Sequence, residues 1–375
     1  MIKVVSVEQM RQIEAAADAA GISYADMMEN AGQAVALRVL EIIAGLPNPA
    51  EAHVTLLIGP GNNGGDGLVT GRTIAENSGA LVRFYLLARR PEDDPLMKAI
   101  SDKGLFVAYA EDDQRFRVLL NMVASAHIVV DALFGIGLKL PFRDNVTKML
   151  RAVHQALEEE EQENAGRPLR LANPVPRRAN RSYVIAVDAP SGLDSDTGAL
   201  DKFAIQADET VTFIAAKTGL FTFPGAAAVG ALTIASAGVP DNTDVLKGIQ
   251  HSVADPETAR QLLPARPADA NKGTYGKVLI LGGSVNYTGA PGLASRAAYR
   301  SGAGLVTVGA PEPTAAALAG HLLEVTWLLF PHDMGVLSAA AAPLILEETS
   351  KFDALLIGPG WGHEKTTGDL LGRLL

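Results

Sequence analysis

Short apolar segments alternate with amphipathic segments along most of this chain of 375 residues, and several of the apolar segments end in glycine or aspartate. Segments 53–58, 127–131 and 183–188 have the length and the residue types of buried strands, and the segments between them have helical periodicity. Such an alternation predicts a doubly wound α/β fold, with a mainly parallel sheet covered on both faces. Ligands of such a sheet are expected at the carboxyl ends of its strands.

The pattern predicts individual elements in the first part of the chain. Ser6 followed by Gln9 is typical of a capping box at the start of the first helix. Segment 208–225 is expected to form a strand and then a loop around Lys217, which we expect to be a surface lysine. The other predicted elements are helices at 6–21, 24–44, 67–78, 96–104, 115–125 and 145–163, and strands at 53–58, 81–87, 106–109, 127–131 and 183–188.

The chain is expected to contain two domains, with a boundary after residue 242. A proline-rich and aspartate-rich connector starts near Gly238, and the βα pattern then begins again. The second domain, 243–375, is expected to hold strands at 277–281, 305–309 and 354–357 and a helix at 289–302. An α/β domain usually has about 100 to 200 residues, so we expect this one to be incomplete. The charged stretch 158–181 is interpreted as a solvated loop without chemistry.

Composition excludes several classes of protein. The chain has no cysteine, which excludes disulfides, thiolate metal sites and cysteine nucleophiles. A net charge of −10, from 32 basic and 42 acidic residues, argues against binding along a nucleic-acid backbone. No apolar run reaches the roughly 18 residues of a membrane span, and the N-terminal segment carries charges where a signal peptide is apolar. We therefore expect a cytoplasmic protein without a membrane or nucleic-acid partner.

The glycine-rich segment 59–67 follows a strand and opens a helix. Its glycines permit close backbone approach and positive φ angles, and free N–H groups at a helix start favour an anion such as phosphate. Asn62, Asn63 and Asp66 add side-chain donors and acceptors to these amides. A tight turn with capping side chains is the alternative. The segment fits neither a Walker A loop nor the GxGxxG fingerprint, and we favour a nucleotide or sugar-phosphate site.

Two aspartates end neighbouring apolar strands. Asp131 leads into a loop that contains Gly135 and Gly137, and Asp188 leads into Pro190-Ser191-Gly192. Because the carboxyl ends of parallel strands meet at one edge, both are expected to face the glycine-rich segment across one crevice. A carboxylate there could transfer a proton, join a hard-cation site or merely cap a helix.

These motifs occur in the order and spacing of a known family, and residues 1–242 resemble the YjeF N-terminal domain, the NAD(P)H-hydrate epimerase. Residues 271–308 and GPGWG at 358–362 resemble the ribokinase-like NAD(P)H-hydrate dehydratase that is fused to the epimerase in bacteria. The resemblance implies a Rossmann-like first domain and a partial ribokinase-like α/β second domain. The motifs of the first part are MENAG (28–32), GPGNNGGDG (59–67), VDALFGIGL (130–138), VDAPSGLDSDTG (187–198) and KTGL (217–220).

The resemblance implies roles for individual residues. Asp188 would contact the reacting ring and transfer the proton, and a potassium ion would be held by Asn63, Asp131 and Ser191, partly through backbone oxygens. In the second domain, Ala290 and Gly362 match positions that contact the hydrate. The substrate-binding residues of the first domain would be Asn62, Asn63, Gly64, Gly65, Asp66, Gly135, Ile136, Gly137, Leu138, Lys139, Leu140, Pro141 and Asp188, of which the 135–141 loop would hold the pyrophosphate side.

The implied function is repair of hydrated nicotinamide cofactors. The epimerase interconverts the R and S forms of NADHX or NADPHX at C6, and the dehydratase removes water from the S form with ADP and Mg²⁺. Asn271 and Trp361 replace a usual His and Leu, and the family's later aspartate-rich strand, TPHPGE-like loop and GTGDVLAG-like loop do not occur in this sequence. We therefore expect this chain alone to catalyse epimerisation but not dehydration. We also expect a homo-oligomeric state.

Two other functions compete with this interpretation. Relatives of the first domain serve as protein-binding scaffolds, so the crevice could be a non-catalytic ligand or partner site. The retained Asn63, Asp131 and Asp188 favour catalysis. A sugar or vitamin kinase is excluded, because the phosphoryl-transfer loop does not occur in the sequence. Replacing Asp188 with Asn is expected to abolish epimerisation and leave the fold intact, since Asp188 ends a strand.

Overall fold

A computed structural model describes residues 2–138, 140–142, 144–164, 182–240 and 243–375. The strands are β1 (Ile2–Val5), β2 (His53–Ile58), β3 (Leu81–Leu86), β4 (Phe106–Tyr109), β5 (Ile128–Ala132), β6 (Tyr183–Val187), β7 (Glu209–Phe213), β8 (Ala216–Lys217), β9 (Ala231–Ala235), β10 (Ser252–Val253), β11 (Lys277–Leu281), β12 (Leu305–Ala310), β13 (Thr326–Leu329), β14 (His332–Asp333), β15 (Val336–Leu337) and β16 (Ala354–Ile357). The α-helices are α1 (Val7–Ala19), α2 (Tyr24–Ala44), α3 (Asn62–Asn77), α4 (Pro95–Asp102), α5 (Arg117–Ala124), α6 (Asp144–Asn164), α7 (Asp244–Gly248), α8 (Pro256–Leu262), α9 (Gly289–Ser301), α10 (Glu312–Leu318), α11 (Ala342–Thr349) and α12 (Lys365–Leu374).

The chain divides into two compact units, Met1–Leu262 and Leu263–Leu375. This division lies later in the chain than the predicted boundary after residue 242. Strand β10 pairs antiparallel with β1, through Ile2 and Val253, and this pairing ties the connector to the first unit. The connector composition therefore marks a segment that holds the short elements α7, β10 and α8, and the division between the units follows α8.

The first unit is a doubly wound α/β domain, as predicted. Its seven-stranded sheet has the order β4-β3-β2-β5-β6-β7-β9, and every neighbouring pair is parallel. The strand order reverses between β2 and β5, so their carboxyl ends open a crevice at a topological switch point. Apolar side chains of β2, β5 and β6 are fully buried on both faces, which gives the sheet its core.

The helices at the amino end follow the predicted pattern closely. Ser6 and Gln9 form the expected capping box of α1, and Ser23 with Asp26 forms a second one at α2. The strands β1 and β9 were not predicted from the sequence, because β1 is short and the alternation of β9 is weak. The solvated-loop interpretation of 158–181 is wrong for its first part, since α6 extends to Asn164, and 165–181 lies outside the described residues.

The second unit has its own sheet of four parallel strands, in the order β13-β12-β11-β16. The predicted strands at 277–281, 305–309 and 354–357 and the helix at 289–302 correspond to β11, β12, β16 and α9. Trp361 is 5% exposed and packs in the core on one face of this sheet. In the described residues, no helix combines the length and the apolar character that a bilayer span needs.

Candidate functional site

Helix α3 begins at Asn62, and the prediction of a helix start near Gly67 was wrong. Gly61 is the N-cap residue and provides no side-chain cap, so the first-turn N–H groups of α3 have no intrahelical acceptors. The glycines allow close packing here rather than positive φ angles. A Cβ at Gly64 would lie 1.9 Å from the Gly59 carbonyl oxygen, and one at Gly65 would lie 2.5 Å from Met28 Sδ.

A cavity of about 410 Å³ lies at the switch point, where the ends of three strands meet. It brings together many of the residues that the sequence singled out, from α3, from the loop after β5 and from the end of β6. The sequence-predicted residues among its lining are Asn62, Asn63, Asp66, Gly135, Ile136, Gly137, Leu138 and Asp188. Arg11, Glu14, Phe213 and Lys217 line it as well. The crevice expected from the strand ends is therefore open.

Asp188 has a strained backbone and a fixed side chain. Its φ of 67° lies in the left-handed region, which is uncommon for a residue with a side chain. Asp188 Oδ1 accepts hydrogen bonds from Thr212 Oγ1 at 3.0 Å and from Lys217 Nζ at 2.5 Å. Asp188 Oδ2 faces the loop after β5, because a Cβ at Gly135 in that loop would lie 3.1 Å from it. One carboxylate oxygen is thus anchored, and the other is turned towards the cavity.

Lys217 is not a surface residue, and that expectation was wrong. It is 1% exposed, and its ammonium group also donates to Thr212 Oγ1 at 2.8 Å and to the Phe213 carbonyl oxygen at 3.2 Å. An ammonium group has three donors, and these three acceptors satisfy all of them. A lone lysine between a strand and a turn gave no sign of burial, but KTGL (217–220) was a signal that this position matters.

Asp131 and Ser191 form a buried pair beneath the cavity. Ser191 donates its backbone N–H to Asp131 Oδ2 at 2.7 Å and its hydroxyl to Asp131 Oδ1 at 2.6 Å. The backbone N–H of Phe134 donates to Ser191 Oγ at 3.1 Å, so the pair also fixes the loop after β5. Burial raises the pKa of Asp131 to about 6, although the hydrogen bonds from Ser191 and Leu133 act in the opposite direction.

The side chain of Asn63 is buried without protein partners. Its Oδ1 and Nδ2 atoms have no hydrogen-bond partner among the described residues. A Cβ at Gly135 would lie 3.1 Å from Asn63 Oδ1, so this oxygen borders the space that Asp188 also borders. A buried amide left unsatisfied costs about 1 to 3 kcal/mol, which indicates that a ligand completes it. The described residues hold no cluster of three or more His, Asp or Glu side chains arranged around a metal ion.

The two acidic groups Glu14 and Asp66 are neighbours of Asp188 in the cavity wall. Burial raises the pKa of Asp66 well above its ordinary value, and the charges of Asp188 and Glu14 raise it further. Burial and the charge of Asp188 also raise the pKa of Glu14, against the attraction of Lys217 and Arg11. Sequence reasoning missed Glu14, because nothing in its helical segment distinguishes it from a surface glutamate.

The remaining predicted residues lie outside this wall. Gly64 and Gly65 are buried inside α3, and Leu140 and Pro141 follow the lining loop, while Lys139 lies outside the described residues. In the second unit, a Cβ at Gly360 would lie 2.9 Å from the Cβ of Ala290, so the GPGWG loop that contains Gly362 packs against the start of α9. The two predicted hydrate contacts, Ala290 and Gly362, therefore lie next to and within the same loop.

Two family models match the chain. The model described as YjeF-related protein N-terminus matches residues 24–219, and the model described as NAD(P)H-hydrate dehydratase matches residues 278–375. The range of the first model contains Asn63 and Asp188 of the cavity wall as well as the buried Asp131, and it ends just after Lys217.

Similar proteins carry a consistent description. A bifunctional NAD(P)H-hydrate repair enzyme Nnr from Moorella thermoacetica is 35% identical over 362 residues, which cover 93% of this chain and 62% of that protein. The enzyme of the same name from Hyperthermus butylicus is 34% identical over 100% of this chain and 62% of its own. This chain thus spans less than two thirds of the length of these relatives. A solved ADP/ATP-dependent NAD(P)H-hydrate dehydratase from Bacillus subtilis is 36% identical over 32% of this chain and 40% of its own, with a TM-score of 0.28.

Proposed function

Because the chain belongs to the family of YjeF-related protein N-termini, we propose that its first unit epimerises hydrated nicotinamide cofactors, NADHX or NADPHX, at C6. One observation carries the proposal: Asp188, anchored by buried Lys217, turns a carboxylate oxygen towards an open cavity at the switch point. The relatives named as NAD(P)H-hydrate repair enzymes support the substrate class.

The hydrated ring has a hydroxyl group on C6, next to the ring nitrogen, so it is a hemiaminal. A base that removes the hydroxyl proton lets the C6–N bond break, leaving an aldehyde carbon and a nitrogen that takes up a proton. Rotation and reclosure on the other face give the opposite epimer, with both protons returned. Asp188 is the base, because Lys217 holds it in place and its Oδ2 faces the cavity.

The same reaction needs an acid beside the ring nitrogen. Asp66 lines the cavity, and burial raises its pKa well above the ordinary value, so its carboxyl group keeps a proton to higher pH than an ordinary aspartate does. Asp66 is therefore suited to donate a proton while Asp188 accepts one, and two carboxyl groups in different environments are the usual basis of paired acid and base catalysis. We assign the acid role to Asp66 and leave Glu14 as a neighbour that supports its protonation.

A potassium ion is the proposed partner of Asn63. The uncompensated amide oxygen of Asn63 fits a hard cation, and Asp131 and Ser191 would complete the site, partly through backbone oxygens. When bound, the ion would supply positive charge beside the phosphate side of the substrate. The loop from Gly135 to Pro141, together with the free N–H groups of α3, would hold that side in place.

For the second unit we propose a share in the dehydration of S-NAD(P)HX. The dehydratase family model and the names of the relatives support this assignment, and Ala290 and Gly362 are the proposed hydrate contacts. ADP and Mg²⁺ would serve this step. The chain spans less than two thirds of the length of these relatives, so we propose, and do not assign, the two activities of the complete repair enzyme. A homo-oligomeric state and a cytoplasmic location also stay predictions.

The epimerase assignment is tested by incubating the protein with purified R-NADHX in potassium buffer and measuring the S form by chromatography. We expect conversion well above the spontaneous rate, and a lower rate when choline replaces potassium. Conversion at the spontaneous rate only would favour the non-catalytic binding module instead. Incubation with ATP and simple sugars should give no phosphorylated product.

A further inference from the structure

A second, larger cavity adjoins the candidate site. Its volume is about 620 Å³, and Glu14, Asn62, Asp66 and Phe213 line both cavities, so the two meet at these four residues. Apolar and aromatic side chains make up much of the second wall, including Tyr24, Met27, Met28, Leu96 and Phe213. We call it the β3 chamber, because the loop after β3, 90–96, lines its other side.

The position of the β3 chamber at the carboxyl end of the sheet indicates which part of a dinucleotide it would bind. The strand order β4-β3-β2-β5-β6-β7 is the order in which doubly wound sheets bind dinucleotides across the switch point. In that arrangement the pyrophosphate lies at the helix after the first strand, which is α3 here, and the adenosine lies over the loop after the next strand, which is β3. The nicotinamide half is then left on the β5–β6 side, where Asp188 lies.

The cavity at Asp188 is too small for a complete dinucleotide. Its 410 Å³ lies near the lower end of the about 300 to 1,000 Å³ that ligand sites usually span, which suits one nucleotide half. Resting on the proposed function, we infer that the β3 chamber binds the adenosine half of the substrate and makes the enzyme prefer NADHX over NADPHX. Asn62, at the junction of both cavities, then lies where the pyrophosphate passes.

The charged side chains that line the β3 chamber account for the preference for NADHX over NADPHX. Asp93 is an exposed carboxylate of the lining loop after β3. In the dinucleotide arrangement of such sheets the adenosine ribose lies near this loop, and a carboxylate there accepts hydrogen bonds from the ribose hydroxyl groups. Glu29, also in the lining, pairs with Arg72. Among the described lining residues the basic group is Arg90, whose Nε donates to Asp94 at 2.5 Å.

A 2′-phosphate in place of the hydroxyl would therefore meet a carboxylate and a guanidinium that is already paired. Asp94 also caps α4, since its Oδ1 accepts the N–H of Leu96 at 2.9 Å, so it is not free to release Arg90 without loosening the helix. Like charges placed together in a binding site reduce affinity, which sets the direction of the preference.

The first test compares NADHX and NADPHX in steady-state epimerisation by the full chain. We expect kcat/KM to favour NADHX by about tenfold or more, and Asp93→Asn to narrow that ratio. Glu92→Gln, which removes the same charge from the neighbouring exposed residue, should leave the ratio unchanged. Equal use of both substrates by the wild type, or a preference for NADPHX, would overturn the charge argument.

The second test fills the β3 chamber. Ala25 is exposed at the start of α2 and lines the chamber, so Ala25→Trp should block it without disturbing the core. We expect KM to rise about tenfold more for NADHX than for the hydrate of reduced nicotinamide mononucleotide, which lacks the adenylate half. Leu37→Trp, on an exposed face of the same helix, should not produce this difference. An equal effect on both substrates would overturn the assignment.

Binding measurements separate this inference from the proposed function. If no variant or wild type epimerises any hydrate, the proposed function fails, and the β3 chamber is tested by calorimetric titration with ADP-ribose. Binding to the wild type that Ala25→Trp removes and Leu37→Trp keeps would support an adenosine site. No binding to the wild type would overturn it.

Discussion

Lys217 Nζ lies 2.5 Å from Asp188 Oδ1, and both residues are buried, with side-chain exposures of 1% and 10%. The aspartate directly follows β6, and the lysine lies in β8, shortly after β7, so the ends of the adjacent strands β6 and β7 bring the pair together in the cavity wall. This contact changes what a substitution of Asp188 should do, because the residue is a partner of a buried charge as well as a group facing the substrate.

We predict that Asp188→Asn abolishes epimerisation and also destabilises the fold. The substitution leaves the Lys217 ammonium group buried without its counter-ion, and breaking such a pair costs about 3 to 5 kcal/mol. The free energy of unfolding from urea titration measures this loss. This prediction differs from the one drawn from the sequence alone, in which the variant leaves the fold intact.

The double variant Asp188→Asn with Lys217→Met is the matched control. It removes both charges, so most of the lost stability should return while activity stays absent. If Asp188→Asn alone is as stable as the wild type, the pair contributes little and the lysine serves another purpose.

Gly135→Ala should reduce activity and leave stability nearly unchanged. The added methyl group would lie 3.1 Å from both Asn63 Oδ1 and Asp188 Oδ2, in the space where the substrate is proposed to react. Displacement of a bound substrate by about 1 Å can cost about a hundredfold in rate. Gly248→Ala, outside the cavity wall and at a position where an added Cβ meets no atom of the described residues within 4 Å, should be close to wild type. Equal rates for both variants would remove Gly135 from the reaction space.

Potassium should raise the melting temperature of the wild type and not that of Asn63→Ala. A ligand that binds only the folded state stabilises it in proportion to the logarithm of its concentration. In choline chloride the variant should be at least as stable as the wild type, because it removes two buried polar atoms without partners and has a better helix former in the first turn of α3. Thermal unfolding in both salts measures this. A potassium response retained by Asn63→Ala would contradict the cation assignment.

The rate should fall towards the alkaline side of its pH profile, as Asp66 loses its proton. Its pKa is raised in the folded protein, so the acid form persists to higher pH than for an ordinary aspartate, and activity is lost as the pH rises through the raised value. Burial raises this pKa most, the charges of Asp188 and Glu14 raise it further, and the charge of Lys217 lowers it. Asp66→Asn should be slower and lack the alkaline limb in a pH profile of kcat.

The variant Glu14→Gln tests whether the charge of Glu14 shifts the titration of Asp66. It should move the alkaline limb to lower pH, because a neighbouring negative charge that raises the pKa of Asp66 is removed. A profile of Asp66→Asn that retains the wild-type limb would assign the titration to another group.

The sequence predicted the parts of this fold that repeat a simple pattern. Buried strands such as β2, β5 and β6 are short, apolar and bounded by glycine or aspartate, so their order along the chain implied a parallel sheet with its crevice at the strand ends. The start of α3 was misplaced, because glycines are poor helix formers and nothing local shows that packing against α2 requires them.

Charged groups were harder to predict than strands. The burial of Lys217 depends on acceptors from β6 and β7, which come together only in the folded sheet. Glu14 lies far along the chain from Asp66 and Asp188, and helical periodicity does not show which surface it faces. The separate roles of the three carboxyl groups therefore follow from tertiary contacts, which residue types alone do not encode.

The central claim is that the carboxylate of Asp188 drives epimerisation in the switch-point cavity. The most direct measurement is the initial rate of S-NADHX formation from R-NADHX in potassium buffer, for the wild type and for the refolded, cooperatively melting double variant Asp188→Asn with Lys217→Met. Our account predicts a rate far above the spontaneous one for the wild type and the spontaneous rate for the double variant. A double variant that retains the wild-type rate would contradict it.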